Sequence, residues 1–183
     1  GLVALTGINH ADGVAVARDA AVVHGDREAR RAVLKDSTLG VGGTLALALL
    51  VAGLVTAGAA LAGLPPLVAL GVVVAAEVGG KLGMALLACL GTAPADGLGA
   101  QLTRVSSARD LPAPVLLALP AAFLTVPSPA AAVALGAGVG TTLAFRWWAD
   151  RRLGGVNGDV FGAANELARV VALHAGVIAW TLS

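Results

Sequence analysis

Apolar residues run in long blocks along this chain, and the polar positions fall between the blocks. A helix that crosses a bilayer needs about 20 largely apolar residues. Residues 39–64 supply such a run and end at Pro65-Pro66. Residues 67–90 supply a second, interrupted by Glu77 and Lys81. Residues 111–126 form a shorter block with Pro120 inside it. Residues 129–148 end in Trp147-Trp148, a pair suited to the membrane–water interface. Residues 160–182 form the last block, and its first third carries Asn165, Glu166 and Arg169. The pattern predicts an all-α fold, a polytopic integral membrane helical bundle with about five spans. Residues 1–183 form one membrane domain on this reading, with 1–38 a segment at the cytoplasmic face and 39–183 the bundle.

The charges sharpen that picture. The connections at 64–67 and 126–129 carry none, and segments 1–38, 91–110 and 146–159 carry nearly all. Cationic loops stay in the cytoplasm. The alternation therefore puts every polar segment on the cytoplasmic side of a cell membrane. Two polar clusters, TGINHADGVAVARD at 6–19 and GGVNGDVFGAANE at 154–166, then face the same water. The first is expected in an amphipathic segment lying at that interface.

Composition agrees. The chain is 57% hydrophobic and 13% charged, with 25 glycines, and its mean hydropathy is +0.87. Ordinary soluble domains are about 45–50% apolar and about 25% charged. The lipid bilayer is thus the first expected partner. A net charge of +1 gives no basic surplus for nucleic acid. Cys89 is the single cysteine, which excludes a disulfide or a multi-thiolate metal site within one chain. The chain opens on Gly1 in mid-pattern, with no charged-then-apolar leader, and a fragment lacking its natural N-terminus is expected.

The clusters hold the candidate chemistry. Asp12 and Asp19 are two helical turns apart, so both carboxylates lie on one face. Hard oxygen ligands of that kind suit Mg²⁺ bridging to phosphate. His10 precedes them. In the second cluster Asp159, Gly162 and Glu166 share a face, and Gly154, Gly155, Gly158 and Gly162 remove side chains that would keep an anionic ligand from the backbone. Lys35 and Asp36 end the basic stretch before the first span. Arg27, Arg30 and Arg31 read as a solvated, positive-inside face. Glu77 and Lys81, one turn apart, can neutralise each other inside the bilayer. His24 and His174 have no evident partner.

At these residues the sequence resembles the cobalamin synthase family, the adenosylcobinamide-GDP ribazoletransferases. The family pattern T-G-G-x-H-x-D-G-x-A-D-x-x-D is matched by Thr6, Gly7, His10, Asp12, Gly13, Ala15 and Asp19. Lys35, Asp36, Ser37 and Gly40 match K/R-D-S-x-x-G. Gly154, Gly155, Asn157, Gly158, Asp159, Gly162, Ala163 and Glu166 match G-G-x-T/N-G-D-x-x-G-A-x-x-E. The flavour is closest to archaeal members. Ile8 stands where the first pattern has its second glycine, and Val16 where it has an aspartate. Family members also carry apolar sequence ahead of the first motif.

The resemblance implies an enzyme that joins α-ribazole, or its 5'-phosphate, to adenosylcobinamide-GDP and releases GMP, with Mg²⁺ as cofactor. It implies Asp12, Asp19 and Asp159 as metal ligands. His10 or a free carboxylate such as Asp19 would accept the hydroxyl proton. Lys35, Asp36, Gly155, Asn157, Gly158, Gly162 and Glu166 would contact substrate. Homo-oligomerisation is left open. Two other readings compete. A CDP-alcohol phosphotransferase would carry D-G-x-x-A-R, but Ala17-Arg18 follows Asp12-Gly13 one residue too late. A transporter or channel subunit would route ions past Glu77 and Lys81, but the other spans are nearly free of charge.

Overall fold

A computed structural model of the chain describes residues 9–22, 40–94 and 96–183. All regular structure among them is helical. The elements are α1 (Asn9–Val22), α2 (Val41–Ala62), α3 (Pro66–Leu90), α4 (Leu98–Val105), α5 (Pro112–Ala118), α6 (Ala130–Arg152) and α7 (Gly158–Thr181). Short 3-10 turns at Ala108–Asp110 and Leu119–Phe123 flank α5. By length and composition α2, α3 and α6 can each cross a membrane. The fold is that of an all-α membrane bundle.

Two of the five expected spans differ from these three. The block at 111–126 is not one helix: α5 gives way to a 3-10 turn at Leu119. Pro120 sits where the α-helix stops, since proline lacks an N–H and its ring clashes with the preceding turn. The last block does form one 24-residue helix, α7, but it is the centre of the bundle rather than an apolar wall. It packs on α6, α1, α3 and α2, in decreasing extent.

The bundle has a polar and a neutral end. Arg146, Asp150 and the residue 153–158 loop lie at the first, where Val156 N–H donates to the Thr92 carbonyl at 2.8 Å. The uncharged connection before α6 lies at the other, where the Ser128 and Ser183 hydroxyls meet at 3.0 Å. Thus the two kinds of connection separate as the charge pattern predicts.

The described part of the N-terminal segment is a packed helix. α1 packs into the bundle, antiparallel to α7, burying Val14, Ala15, Ala17 and Ala20. Small residues make this possible. A Cβ on Gly13 would lie 2.5 Å from the Asp159 carbonyl oxygen, so the two backbones are in direct contact there. Close approach of this kind is how helices associate where lipid removes the hydrophobic driving force.

Candidate active site between α1 and α7

The second cluster folds into a turn and a helix start. Gly154 and Gly155 take φ of 80° and 144°, values that residues with a Cβ rarely adopt. A side chain on Gly155 would also run into the Thr92 carbonyl. Asn157 then caps α7: its Oδ1 accepts the Val160 N–H at 2.9 Å. The Asn157 Nδ2 donates to Asp159 Oδ2 at 3.1 Å, which fixes that carboxylate on the first turn.

The Gly13 contact brings Asp12 beside Asp159. Burial pushes the Asp159 carboxyl above the ordinary carboxylate range, and the negative charge of Asp12 pushes it further. Hydrogen bonds from Asn157 and a backbone N–H oppose the rise. Among the described residues no basic group contributes. The pair is therefore a site of uncompensated negative charge, open through the exposed Asp12. Its donor set fits a hard divalent cation.

Asp19 is elsewhere. Seven residues along a helix is a rise of ~10 Å. Its two carboxylate oxygens accept the Gly40 and Gly43 N–H groups at 2.9 and 2.8 Å, capping the start of α2 from α1. Among the described residues no three His, Cys, Asp or Glu side chains converge as a metal-holding group. Of the expected trio, Asp12 and Asp159 are neighbours, while Asp19, two turns further along α1, is engaged by the start of α2.

Two turns along α7 from Asp159 lies a buried polar network. Glu166 is almost wholly buried and accepts from Arg169 Nη1 at 2.7 Å and from Asn165 Nδ2 at 3.1 Å. Arg169 also donates to Glu77, with Nη2 3.1 Å from Oε2. His10 Nδ1 is 3.7 Å from Glu166 Oε1 and 3.4 Å from Asn165 Nδ2. Lys81 Nζ donates to Asn165 Oδ1 at 3.0 Å. Glu77 and Lys81 therefore do not neutralise each other: each reaches across to α7, where the guanidinium offers Glu77 a two-pronged partner. His174 has partners too, the Thr56 hydroxyl and the Val170 carbonyl.

Of the residues expected at the site, His10, Asp12, Asn157, Asp159 and Glu166 gather along the α1–α7 seam. Gly158 opens α7, and the buried Gly162 lies between Asp159 and Glu166 on it. Gly155 shapes the loop, Asp19 is displaced to α2, and Lys35 and Asp36 lie outside the described residues. The sequence reading missed Arg169 and Asn165 as partners. The available signal was that a Glu and a Lys in an apolar helix each demand a partner, and α7 was the other block carrying polar groups in its interior. An apolar cavity of about 280 Å³ adjoins the seam, walled by Val14, Ala17, Phe145, Trp148 and Leu167, with Arg18 its charged member.

The family model for cobalamin-5-phosphate synthase matches residues 1–177. The chain belongs to the cobalamin-5-phosphate synthase family. An adenosylcobinamide-GDP ribazoletransferase of Halobacterium salinarum is 59% identical over 98% of this chain and 90% of that protein. One of Halorubrum lacusprofundi is 58% identical over 97% of this chain and 73% of that protein. One of Haloquadratum walsbyi is 46% identical over 99% and 73%. No solved structure matches the chain. The span matched to cobalamin-5-phosphate synthase holds all three motif stretches, and the first and third of them meet where α1 crosses α7.

Proposed function

We propose that the chain is an adenosylcobinamide-GDP ribazoletransferase of the cell membrane, with its site facing the cytoplasm. The observation that carries the reading is the Asp12–Asp159 pair, formed by two motif segments far apart in sequence, in a chain 59% identical to a protein of that name. The acceptor is α-ribazole or its 5'-phosphate.

In the reaction a ribazole hydroxyl oxygen bonds to the phosphorus carried by the aminopropanol arm. The P–O bond to GMP breaks, and GMP leaves with that bonding pair. Phosphoryl transfer of this kind asks a protein mainly for positioning and charge neutralisation. Mg²⁺ held by Asp12 and Asp159 would supply the neutralisation. Asn157 holds Asp159 for that purpose, and the small residues of the seam let the diphosphate approach. His10 takes the hydroxyl proton, with Glu166 on its Nδ1 side and Arg169 fixing Glu166 in turn. Asp19 keeps α2 docked on α1. Lys35 and Asp36 contribute to substrate binding from the second motif.

The test is GMP release by the chain in lipid vesicles, with adenosylcobinamide-GDP and either acceptor, with and without Mg²⁺, beside a Val16→Asp version. Mg²⁺-dependent release is expected, with Asp12→Ala and Asp159→Ala each lowering it at least a hundredfold. Release that ignores Mg²⁺ and survives both substitutions would overturn the metal assignment. Release by the Val16→Asp version alone would mean that the valine has disabled this copy.

A further inference from the structure

Lys81 lies nine residues before the end of α3, ~13 Å from the polar end of the helix at the α-helical rise. Its position has a cost, because an ammonium group inside a membrane bundle needs partners. The carboxylate one turn away, Glu77, is taken by Arg169. Lys81 makes one hydrogen bond, to Asn165 Oδ1, and a 4.0 Å contact to Met84 Sδ. Among the described residues no carboxylate lies within 4.0 Å of it. An ammonium has three N–H donors, so two are left without an oxygen. The residue is exposed, yet its head donates to Asn165, a residue only 2% exposed.

Asn165 also faces His10 and Glu166, so Lys81 stands at the opening of the α1–α7 seam. Two complementary groups lie along that seam, Asp159 and the Asn165 partner of Lys81 being six residues apart on α7. The Asp12–Asp159 pair lacks a cation, and Lys81 lacks an anion. The Glu77–Arg169–Glu166 group carries one surplus negative charge nearby. A ligand that brings phosphate oxygens satisfies the two idle donors. We infer that Lys81 binds a phosphate oxygen of the diphosphate-bearing substrate, an assignment that rests on the function proposed above. The lysine belongs to none of the three motifs.

The experiment compares the full chain with Lys81→Met, Lys81→Gln and Lys81→Arg in vesicles. Binding of inorganic pyrophosphate with Mg²⁺ is measured by titration, and KM is measured for each substrate. Lys81→Gln separates the two roles of the residue, since its amide can still hydrogen-bond Asn165. Met and Gln are each expected to weaken pyrophosphate at least tenfold and to raise KM for adenosylcobinamide-GDP about as much, leaving KM for the ribazole acceptor unchanged. Arg is expected to restore most of both. Unchanged pyrophosphate affinity in Lys81→Gln overturns the inference, as does an equal loss for both substrates. If the unsubstituted chain binds pyrophosphate but releases no GMP, the proposed function fails while the effect of Lys81 on pyrophosphate is still read. No pyrophosphate binding by the unsubstituted chain overturns the inference itself.

Discussion

Helices α2 and α7 are nearly the same length, 22 and 24 residues, and are built on opposite plans. α2 has no ionisable residue, yet Val41, Leu45, Leu49, Val51 and Val55 are all exposed and only Gly43, Leu50 and Ala57 are buried. α7 carries Asp159, Glu166, Arg169 and His174 and buries twelve of its residues, Glu166 and Arg169 among them. In water the more apolar helix would be the core. Here the order is inverted because lipid accepts an apolar side chain without penalty and a charge only at high cost. Charged groups must then be gathered where other protein groups can answer them, and α7 touches five other helices.

The comparison can be broken most severely at Arg169. Arg169→Met leaves the buried Glu166 and the half-buried Glu77 without their cation, which should cost about 3–5 kcal/mol of stability. Unfolding by graded denaturing detergent reads this, and adding Glu77→Gln should recover part of the loss. A loss below 1 kcal/mol would mean that water or lipid headgroups reach the pair.

At the contact of α1 with α7, Gly13→Ala forces a Cβ against the Asp159 carbonyl. Overpacking of this kind costs about 1–3 kcal/mol. The same unfolding measurement should show it, together with weaker Mg²⁺ binding as Asp12 moves from Asp159. Asp19→Ala removes the cap of α2 from outside that helix and should cost about 1 kcal/mol. Hydrogen exchange at Gly40 and Gly43 should quicken while exchange in α7 is unchanged, and Asp19→Asn should be milder.

The Asp159 carboxyl gives a dependence on pH. Its folded-state pKa is raised, so the folded state holds the proton more tightly than the unfolded one. Stability without Mg²⁺ then falls as pH rises from the ordinary carboxylate range through the raised value, and the loss is constant above it. Asp159→Asn should be the more stable protein at neutral pH, with the difference vanishing on acidification. Unfolding across a pH series checks the sign. The smallest effect belongs to α2: Leu49, 64% exposed, should tolerate Ala within about 0.5 kcal/mol. A larger loss would show a partner covering that face.

The charge-free connections, the length of α2 and α3, and the meeting of the first and third motifs at one end of the bundle were all legible in the chain. They follow from local composition, which sets what can sit in lipid and what cannot. Pro120 was visible too, but not that it would end α5 and turn the chain into a 3-10 segment. Helical periodicity put Asp12 and Asp19 on a common face, but a common face says nothing of axial separation, and the Asp19 carboxylate meets the start of α2.

By itself, then, the sequence determined the class of fold, the family, and which polar residues a buried site could draw on. It could not determine which charge answers which. Glu77 has Lys81 one turn away on its own helix, yet it meets Arg169 on α7, 92 residues later. Asp159 lies seven residues from Glu166 and finds its neighbour in Asp12 instead. Such pairings depend on how closely two backbones approach, here set by Gly13, and on which side chains that approach leaves facing each other. Only the tertiary packing of small residues decides that.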